Sequence, residues 1–567
     1  MKMQLLYLGL TALYATCMIT VSFEQQDPLT DIIEDKERIV NELAAIALTS
    51  FQSRCSHDCG DSCAHSACGS RLTTSAGCSD QFGAAVVQDP YLYCEQNCTS
   101  RQLDFQTSFV RTAEFSENAE IVTQECWTRD LESQFIQNRL EDQQGQQSLR
   151  WQYIGAPSGF YRIYPGVTQQ QCFTYDPRIR PWYVAATSGP KNVILVLDVS
   201  GSMGSNDRIE LAKDAAVTVI NTLTNSDFVA VITFSDMAQQ LLIFGQQAGS
   251  LVSATSQNIE KLSSQVKNIN PFGGTNFEAA FRKAFEVLGS TGEYSANCHT
   301  AILFLTDGIP TRGSIQSESG LTSLVQDLNT NPDGSLKVTV FTYTLGSGAS
   351  STIPSAVACG NNGIYAHVDD GGNLRGQMSQ YYDYYSTLRR AGDESVVWVE
   401  PYTDASGAGL LVTASKAVYD TNSSPSRLIG VVAVDILISD LKTAGQQAGV
   451  DYAGVVYRLA LRNTCPNIET SNITECELNS IRASNGGQTC GSAVCNEQSS
   501  TACPAASQSV TYCSYQLQRY HFNSQAYRKE ACCGGFTSCN KNSATQQTTP
   551  HFVLLLTTTL LGIASHQ

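Results

Sequence analysis

A carboxylate and two hydroxyls stand at alternate positions in Asp198-Val199-Ser200-Gly201-Ser202, directly after the apolar run Val193 to Leu197. Carboxylate and hydroxyl oxygens are hard donors, suited to Mg2+, Mn2+ or Ca2+ and poorly suited to zinc. Two later positions add oxygen ligands: Thr275 in Gly273-Gly274-Thr275-Asn276, and Asp307 at the end of the apolar run Ala301 to Thr306. Asp198, Ser200, Ser202, Thr275 and Asp307 would surround one divalent cation with oxygen alone. So few carboxylates leave such an ion electrophilic, with a position open to an acidic side chain of a partner. Taken alone, Asp-x-Ser-x-Ser is also a common cap and turn sequence. What raises it to a metal site is that Thr275 and Asp307 each stand beside the right kind of element.

Those elements must belong to a parallel sheet. Val193 to Leu197 shows no polar alternation, as expected of a strand buried on both faces. Ligand sites in open α/β sheets lie at the carboxyl ends of the strands. Strand Val193–Leu197, helix Arg208–Leu223, strand Phe228–Phe234, helix Phe277–Leu288, strand Ala301–Thr306 and strand Lys337–Leu345 follow one another. This order predicts an α/β doubly wound, Rossmann-like fold with a central parallel sheet. It resembles the von Willebrand factor A domain with a complete metal-ion-dependent adhesion site, over about Pro190 to Thr387.

Composition bounds the surroundings. The chain has 567 residues, 35 Lys and Arg against 52 Asp and Glu, and a formal net charge of −17. With no basic run or basic-aromatic cluster, nucleic-acid binding is excluded. Met1-Lys2 followed by the apolar stretch Leu5 to Thr20 reads as a secretory signal peptide. Of 21 cysteines, removing Cys17 with the signal leaves an even number, as a disulfide-bonded secreted protein should have. They cluster from Cys55 to Cys98 and from Cys465 to Cys539. Cys55 and Cys59 with His57 and His65 could also hold zinc, and the pairing of the cysteines cannot be read from spacing. Asn97, Asn422 and Asn472 open glycosylation patterns. At the end, Phe552 to Ala564 is apolar, uncharged and too short to span a bilayer. Small residues Asn542-Ser543-Ala544 and a polar spacer precede it, the layout of a glycosylphosphatidylinositol signal attached at Asn542 or Ser543.

A second constellation flanks the metal unit. Tyr175-x4-Arg180-Pro-Trp182-Tyr183 lies before it, and Tyr402-Thr-Asp404 and Val431-Val-Ala-Val-Asp435 lie after it in segments that read as antiparallel strands. A guanidinium offers a bidentate fork to an α-carboxylate. Asp435, and Asp404 with it, would face an α-ammonium, while Tyr175 and Trp182 cover a cation or an apolar side chain. Asp31-x-x-Glu34 opens a long helical pattern with a capping box and the stripe Ile32, Ile33, Ile39, Val40, Leu43, Ile46 and Phe51.

A long helix leading into strands, with this Tyr, Arg, Trp, Tyr and distant Asp, resembles the amino-acid-binding double Cache sensor domains. A Cache domain interrupted by a von Willebrand A domain resembles the alpha-2-delta auxiliary subunits of voltage-gated calcium channels. The family's Arg triplet reads Arg178-Ile179-Arg180 here, so its middle Arg is missing while the pocket-lining third is kept. The resemblance implies a signal peptide over 1–23, and a helix, cysteine-rich segment and first Cache part over 24–189. The metal domain then covers 190–387 and the second, α+β Cache part with antiparallel sheet 388–460. A cysteine-rich membrane-proximal segment follows over 461–541 and an anchor signal over 542–567.

It also implies a non-enzymatic protein on the outer face of the plasma membrane, reached by the secretory pathway, whose partner is a channel pore subunit. No nucleophile elbow, zinc signature or phosphate-binding loop suggests catalysis. The family continues into further Cache-like modules where this sequence runs to the anchor signal. The second reading is therefore a stand-alone anchored receptor or adhesion protein that senses an amino acid.

Overall fold

The computed structural model describes residues 27–55, residues 102–466 with short interruptions, and a few residues between 478 and 490. The signal peptide, the Cys59 to Cys98 cluster, Asn97, Asp404, Asn422, Asn472, Asn542 and Ser543 lie outside the described residues. The chain opens on helix α1 (Pro28–Cys55). Pro28 fills the first helical position and the Leu29 N–H donates to Asp27 Oδ1 at 3.1 Å. Because Asp27-Pro28 starts the helix early, the expected box at Asp31 and Glu34 falls inside it and Asp27 is the cap. The expected stripe is buried, with Ile46 partly so.

Strands β1 (Gln102–Asp104) and β2 (Phe109–Thr112), helix α2 (Leu131–Gln144), strands β3 (Leu149–Gly155), β4 (Phe160–Tyr164) and β5 (Gly166–Thr168) and helix α3 (Pro181–Ser188) follow. Then comes an α/β unit. Its strands are β6 (Lys191–Asp198), β7 (Phe228–Phe234), β8 (Ala238–Gln240), β9 (Val252–Ser253), β10 (His299–Thr306), β11 (Thr339–Leu345) and β12 (Tyr365–Val368). Its helices are α4 (Arg208–Thr222), α5 (Ser256–Lys267), α6 (Phe277–Gly289), α7 (Glu318–Asn329), α8 (Thr352–Gly360) and α9 (Leu374–Leu388). After it stand β13 (Val397–Thr403), β14 (Leu410–Asp420), β15 (Arg427–Leu437), α10 (Ile438–Gln447) and α11 (Tyr452–Ala460). Beyond β15 the chain turns helical at Ile438. There Ile438, Leu441 and Ala444 take up a helical apolar spacing and are buried.

The α/β sheet runs β12-β11-β10-β6-β7-β8, with β9 also on β7. Strands β12, β11, β10, β6 and β7 are parallel as expected, and antiparallel β8 and β9 make the sheet mixed. Successive residues of β6 feed different cores: Val193, Leu195 and Leu197 one, Ile194 and Val196 the other. Both faces are covered, which is why the sequence shows no alternation.

The second sheet is antiparallel in the order β13-β14-β15-β3-β4-β2. Its centre joins β15 to β3, so segments on either side of the α/β unit form one sheet. The unit is anchored at its base: Arg389 Nη1, just past α9, donates to Ala186 O of α3 at 2.6 Å. Disulfides Cys298–Cys465 and Cys359–Cys490 tie the α/β unit to the segment beyond the split sheet. Each draws one cysteine from outside the two sequence clusters.

A buried ion pair fixes the start of β6. Lys191 Nζ lies 3.0 Å from Asp227 Oδ1, and both side chains are excluded from water. Replacing Lys191 by Met should leave the Asp227 charge among neutral donors and cost about 3–5 kcal/mol. Urea denaturation of the two proteins checks this, and a loss under 1 kcal/mol would mean that the pair contributes little.

Candidate functional site

Asp198 closes β6, and the loop after it is held by backbone on two sides. Val199 N–H donates to Phe234 O at 2.9 Å, Phe272 N–H to Val199 O at 2.7 Å, and Gly201 N–H to Gly273 O at 3.0 Å. The Asp198-x-Ser-x-Ser loop is thereby bound to the strand beside it and to the Gly273-Gly274-Thr275 loop. Gly273 has φ +75°, and a Cβ there would meet Asp236 Oδ2 at 2.6 Å. Only glycine fits.

The oxygens converge. Asp198 Oδ1 accepts the Ser200 N–H at 2.8 Å and Oδ2 accepts the Thr306 hydroxyl at 2.6 Å. Ser200 and Ser202 hydroxyls lie 3.0 Å apart, and the Ser202 hydroxyl donates to Asp307 Oδ1 at 2.8 Å. Asp307 Oδ2 accepts from Arg208 Nη1 at 3.0 Å. Thr275 is buried, with its N–H donating to Thr311 Oγ1 at 3.0 Å and its hydroxyl 3.9 Å from where a Cβ on Gly308 would sit. Four of the five expected ligands thus form one hydrogen-bonded chain, and Thr275 stands beside the Asp307-Gly308 peptide.

The donor set fits a hard divalent cation. Asp198 is fully buried, and burial pushes its carboxyl up to about 6. Hydrogen bonds from Thr306 and Ser200 oppose the rise, and the nearby Asp307 charge adds to it. Two buried carboxylates joined through Ser200 and Ser202 gain from positive charge between them. Among the described residues no group of three His, Cys, Asp or Glu side chains could hold a metal. A cation here would lean on serine and threonine oxygens. Ser202 is exposed, which leaves the cluster open on one side.

The second constellation gathers at the split sheet. Arg180 caps α3, and its guanidinium lies over the Tyr175 ring at 4.5 Å. Its Nε is buried without a hydrogen-bond acceptor among the described residues. Asp435 pairs with Thr413 in register and accepts the Tyr153 hydroxyl at 2.8 Å. Burial first, and then the Asp435 charge, push the Tyr153 hydroxyl well above its usual value, so it stays a donor. Rings connect the two ends: Tyr153 to Trp182 at 4.8 Å, Tyr153 to Tyr161 at 5.5 Å, and Tyr161 to Tyr175 at 4.3 Å. Tyr183 points elsewhere as well, touching Tyr382 of α9 besides Trp182.

Residues 193–309 match the family model of the von Willebrand factor type A domain. This chain contains such a domain. It is 29% identical over 367 residues to the human voltage-dependent calcium channel subunit alpha-2/delta-2, which covers 62% of this chain and 30% of that protein. Human alpha-2/delta-4 is 28% identical over 387 residues, 64% of this chain and 32% of the relative. Rat alpha-2/delta-3 is 29% identical over 350 residues, 59% and 30%. The chain is similar to alpha-2/delta subunits and spans about 30% of their length. Among solved structures, the von Willebrand factor type A protein of Catenulispora acidiphila is 16% identical with a TM-score of 0.30, covering 44% of this chain and 57% of that one.

Around the type A domain's oxygen cluster, sequence reasoning passed over three residues. Thr306 holds Asp198, Arg208 holds Asp307, and Asp236 Oδ1 accepts the Gly274 N–H at 3.0 Å. Thr306 could have been found from its place at a strand end beside Asp307. The other two carry no pattern. In the split sheet, Tyr153, Tyr161 and Thr413 were missed because aromatic and β-branched residues are ordinary in strands.

For a cation held at this cluster, Thr306→Val keeps the shape but removes the hydroxyl that orients Asp198. Affinity for Mg2+ or Ca2+ should fall roughly 10–100-fold. Titration calorimetry with circular dichroism as the folding control measures it, and an unchanged affinity would leave Thr306 a purely structural residue.

Proposed function

We propose that this chain is a cell-surface, alpha-2/delta-like regulatory subunit of a voltage-gated calcium channel, acting by binding and not by catalysis. It grips an acidic residue on an extracellular segment of the pore subunit through Mg2+ or Ca2+ held by Asp198, Ser200, Ser202, Thr275 and Asp307. The observation that carries the reading is the reach of the likeness: 29% identity over 367 aligned residues of an alpha-2/delta subunit, far more than the 193–309 domain. The cation supplies a Lewis-acidic position for a carboxylate. The chain's residues hold the donors, Thr306 and Ser200 on Asp198, Arg208 and Ser202 on Asp307. Phe272 and Ile309 are 55% and 57% exposed on loops that carry the cluster, and Met237 is 79% exposed on the β7–β8 turn, whose Asp236 holds the Gly274 N–H. That apolar rim suits an acidic side chain flanked by apolar ones.

In the same reading the split sheet is the Cache domain, with parts at 24–189 and 388–460 around a metal domain at 190–387. Its aromatic cluster takes a free α-amino acid, with Arg180 on the carboxylate and Asp435, joined by Asp404, on the ammonium. The Arg180 Nε without an acceptor among the described residues, on a guanidinium stacked over Tyr175, supports this. Tyr175, Trp182 and Tyr183 close the cleft. Glycosylation at Asn97, Asn422 and Asn472, a cysteine-rich segment at 461–541 and a glycosylphosphatidylinositol anchor at Asn542 or Ser543 complete an extracellular protein. No described helix is long and apolar enough to cross a membrane.

Two measurements test the reading. Mild detergent extraction followed by affinity capture should recover a channel pore subunit in Mg2+ or Ca2+. EDTA, or the pair Asp198→Ala and Ser200→Ala, should abolish the capture while the domain stays folded. Retention in EDTA would overturn the metal grip, and recovery of other surface proteins without a pore subunit would favour a stand-alone receptor.

For the pocket, calorimetry over free amino acids should find a ligand that Arg180→Ala weakens roughly tenfold or more, since a hydrogen bond to a charged group is lost. Arg180→Lys should restore only part, because an ammonium lacks the planar fork. If no α-amino acid binds the wild type more tightly than the millimolar range, the cluster is structural.

A further inference from the structure

Arg208 occupies an unfavourable place. It is the first residue of α4, where the helix dipole repels positive charge. Asn206 and Asp207, just before it, are both in the left-handed region at φ 52° and 56°. That backbone costs energy for side-chain-bearing residues. The arrangement is compensated by a three-way clasp. Arg208 Nη1 donates to Asp307 Oδ2 at 3.0 Å, Nε to Asp370 Oδ1 at 2.7 Å and Nη2 to Asp370 Oδ2 at 3.1 Å. Asn206 Nδ2 adds a bond to Asp370 Oδ2 at 2.9 Å. Gly346, at φ +89°, makes the room: a Cβ there would lie 2.3 Å from the guanidinium.

The guanidinium therefore bonds directly to the Asp307 end of the Ser200–Ser202–Asp307 chain, with the Arg208 side chain 13% exposed and Asp307 fully enclosed. A cation at the cluster must share Asp307 with it. Asp307 does not need Arg208 to keep its place, because Ser202 engages its other oxygen. We infer that Arg208 sets the affinity of the cation site, holding it weak by occupying one oxygen of Asp307 and placing a fixed positive charge beside the donors. Weak binding suits an extracellular site: modules outside the cell hold Ca2+ with Kd on the order of 10⁻⁴–10⁻³ M. The inference rests on the cation reading proposed above.

The test is calorimetric titration of the full chain with Mg2+ and with Ca2+, alongside thermal melts in each ion. Arg208→Gln keeps one amide donor and removes the charge, so cation affinity should rise roughly tenfold or more. Arg208→Lys keeps the charge without the fork; its affinity should stay near wild type while its melting temperature falls. Should Arg208→Gln fold poorly beside an uncompensated Asp370, the pair Arg208→Gln with Asp370→Asn, compared with Asp370→Asn alone, should show the same tightening. Equal or weaker cation binding by the folded Gln proteins overturns the inference while leaving the cation site intact. Absence of cation binding by wild type and Gln protein alike removes the cation reading itself and this inference with it.

Discussion

The pairing of β15 with β3 governs the molecule. Residues 149–155 and 427–437 form the centre of one antiparallel sheet, so the type A domain between them must enter and leave at the same place. That requirement is met by α3, which delivers the chain to β6, and by α9, which brings it back. Arg389 on Ala186 O and the Tyr183–Tyr382 ring contact fasten the two. With the amino ends of the parallel strands at this base, their carboxyl ends project away from the split sheet. The oxygen cluster sits there, at the free end. A parallel sheet places its loops with the exposed donors at one edge, and the insertion decides that this edge faces outward. The disulfides to Cys465 and Cys490 brace the domain against the segment that follows.

What was legible in the sequence follows from how each signal is encoded. The apolar runs at Val193 and Ala301 predicted buried strands because both faces of the sheet are covered, and that condition leaves no other pattern. The Asp198, Ser200 and Ser202 spacing was readable since a single loop carries all three. That Thr275 and Asp307 fall at the same edge followed from strand order. Arg208 and Asp236 were not legible: both act across loops distant in sequence, through single side chains with no repeating spacing. The start of α1 was misread for a local reason, a Pro after an Asp competing with a weaker box one turn later. Strands β8 and β9 were missed as short edge pairs with almost no apolar content. The aromatic cluster was half visible. Tyr175, Arg180 and Trp182 lie close together in sequence, whereas Tyr153 and Tyr161 reach them only because the β3–β4 hairpin folds beneath α3.

The two candidate sites are built on opposite principles, and this determines how their variants should be read. The oxygen cluster is made by loops whose positions are set by backbone hydrogen bonds, from Val199, Gly201 and Phe272. Its side chains contribute little apolar burial, so a substitution there changes charge and ligation and leaves the cores as they were. The aromatic cluster is part of a core: Tyr153, Trp182 and Tyr183 are among the largest fully buried side chains, and Tyr153 also donates to Asp435. Truncating a buried aromatic costs about 3–5 kcal/mol through lost burial and the cavity left behind. Loss of ligand binding in such a variant would not distinguish contact from collapse. Arg180 is the informative position because it is only half-buried, caps a short helix with its backbone, and has a guanidinium stacked on one ring. Its removal takes away a charge and a planar donor while the aromatic packing around Trp182 persists. Binding chemistry and fold stability separate there, whereas at the tyrosines they are the same interaction.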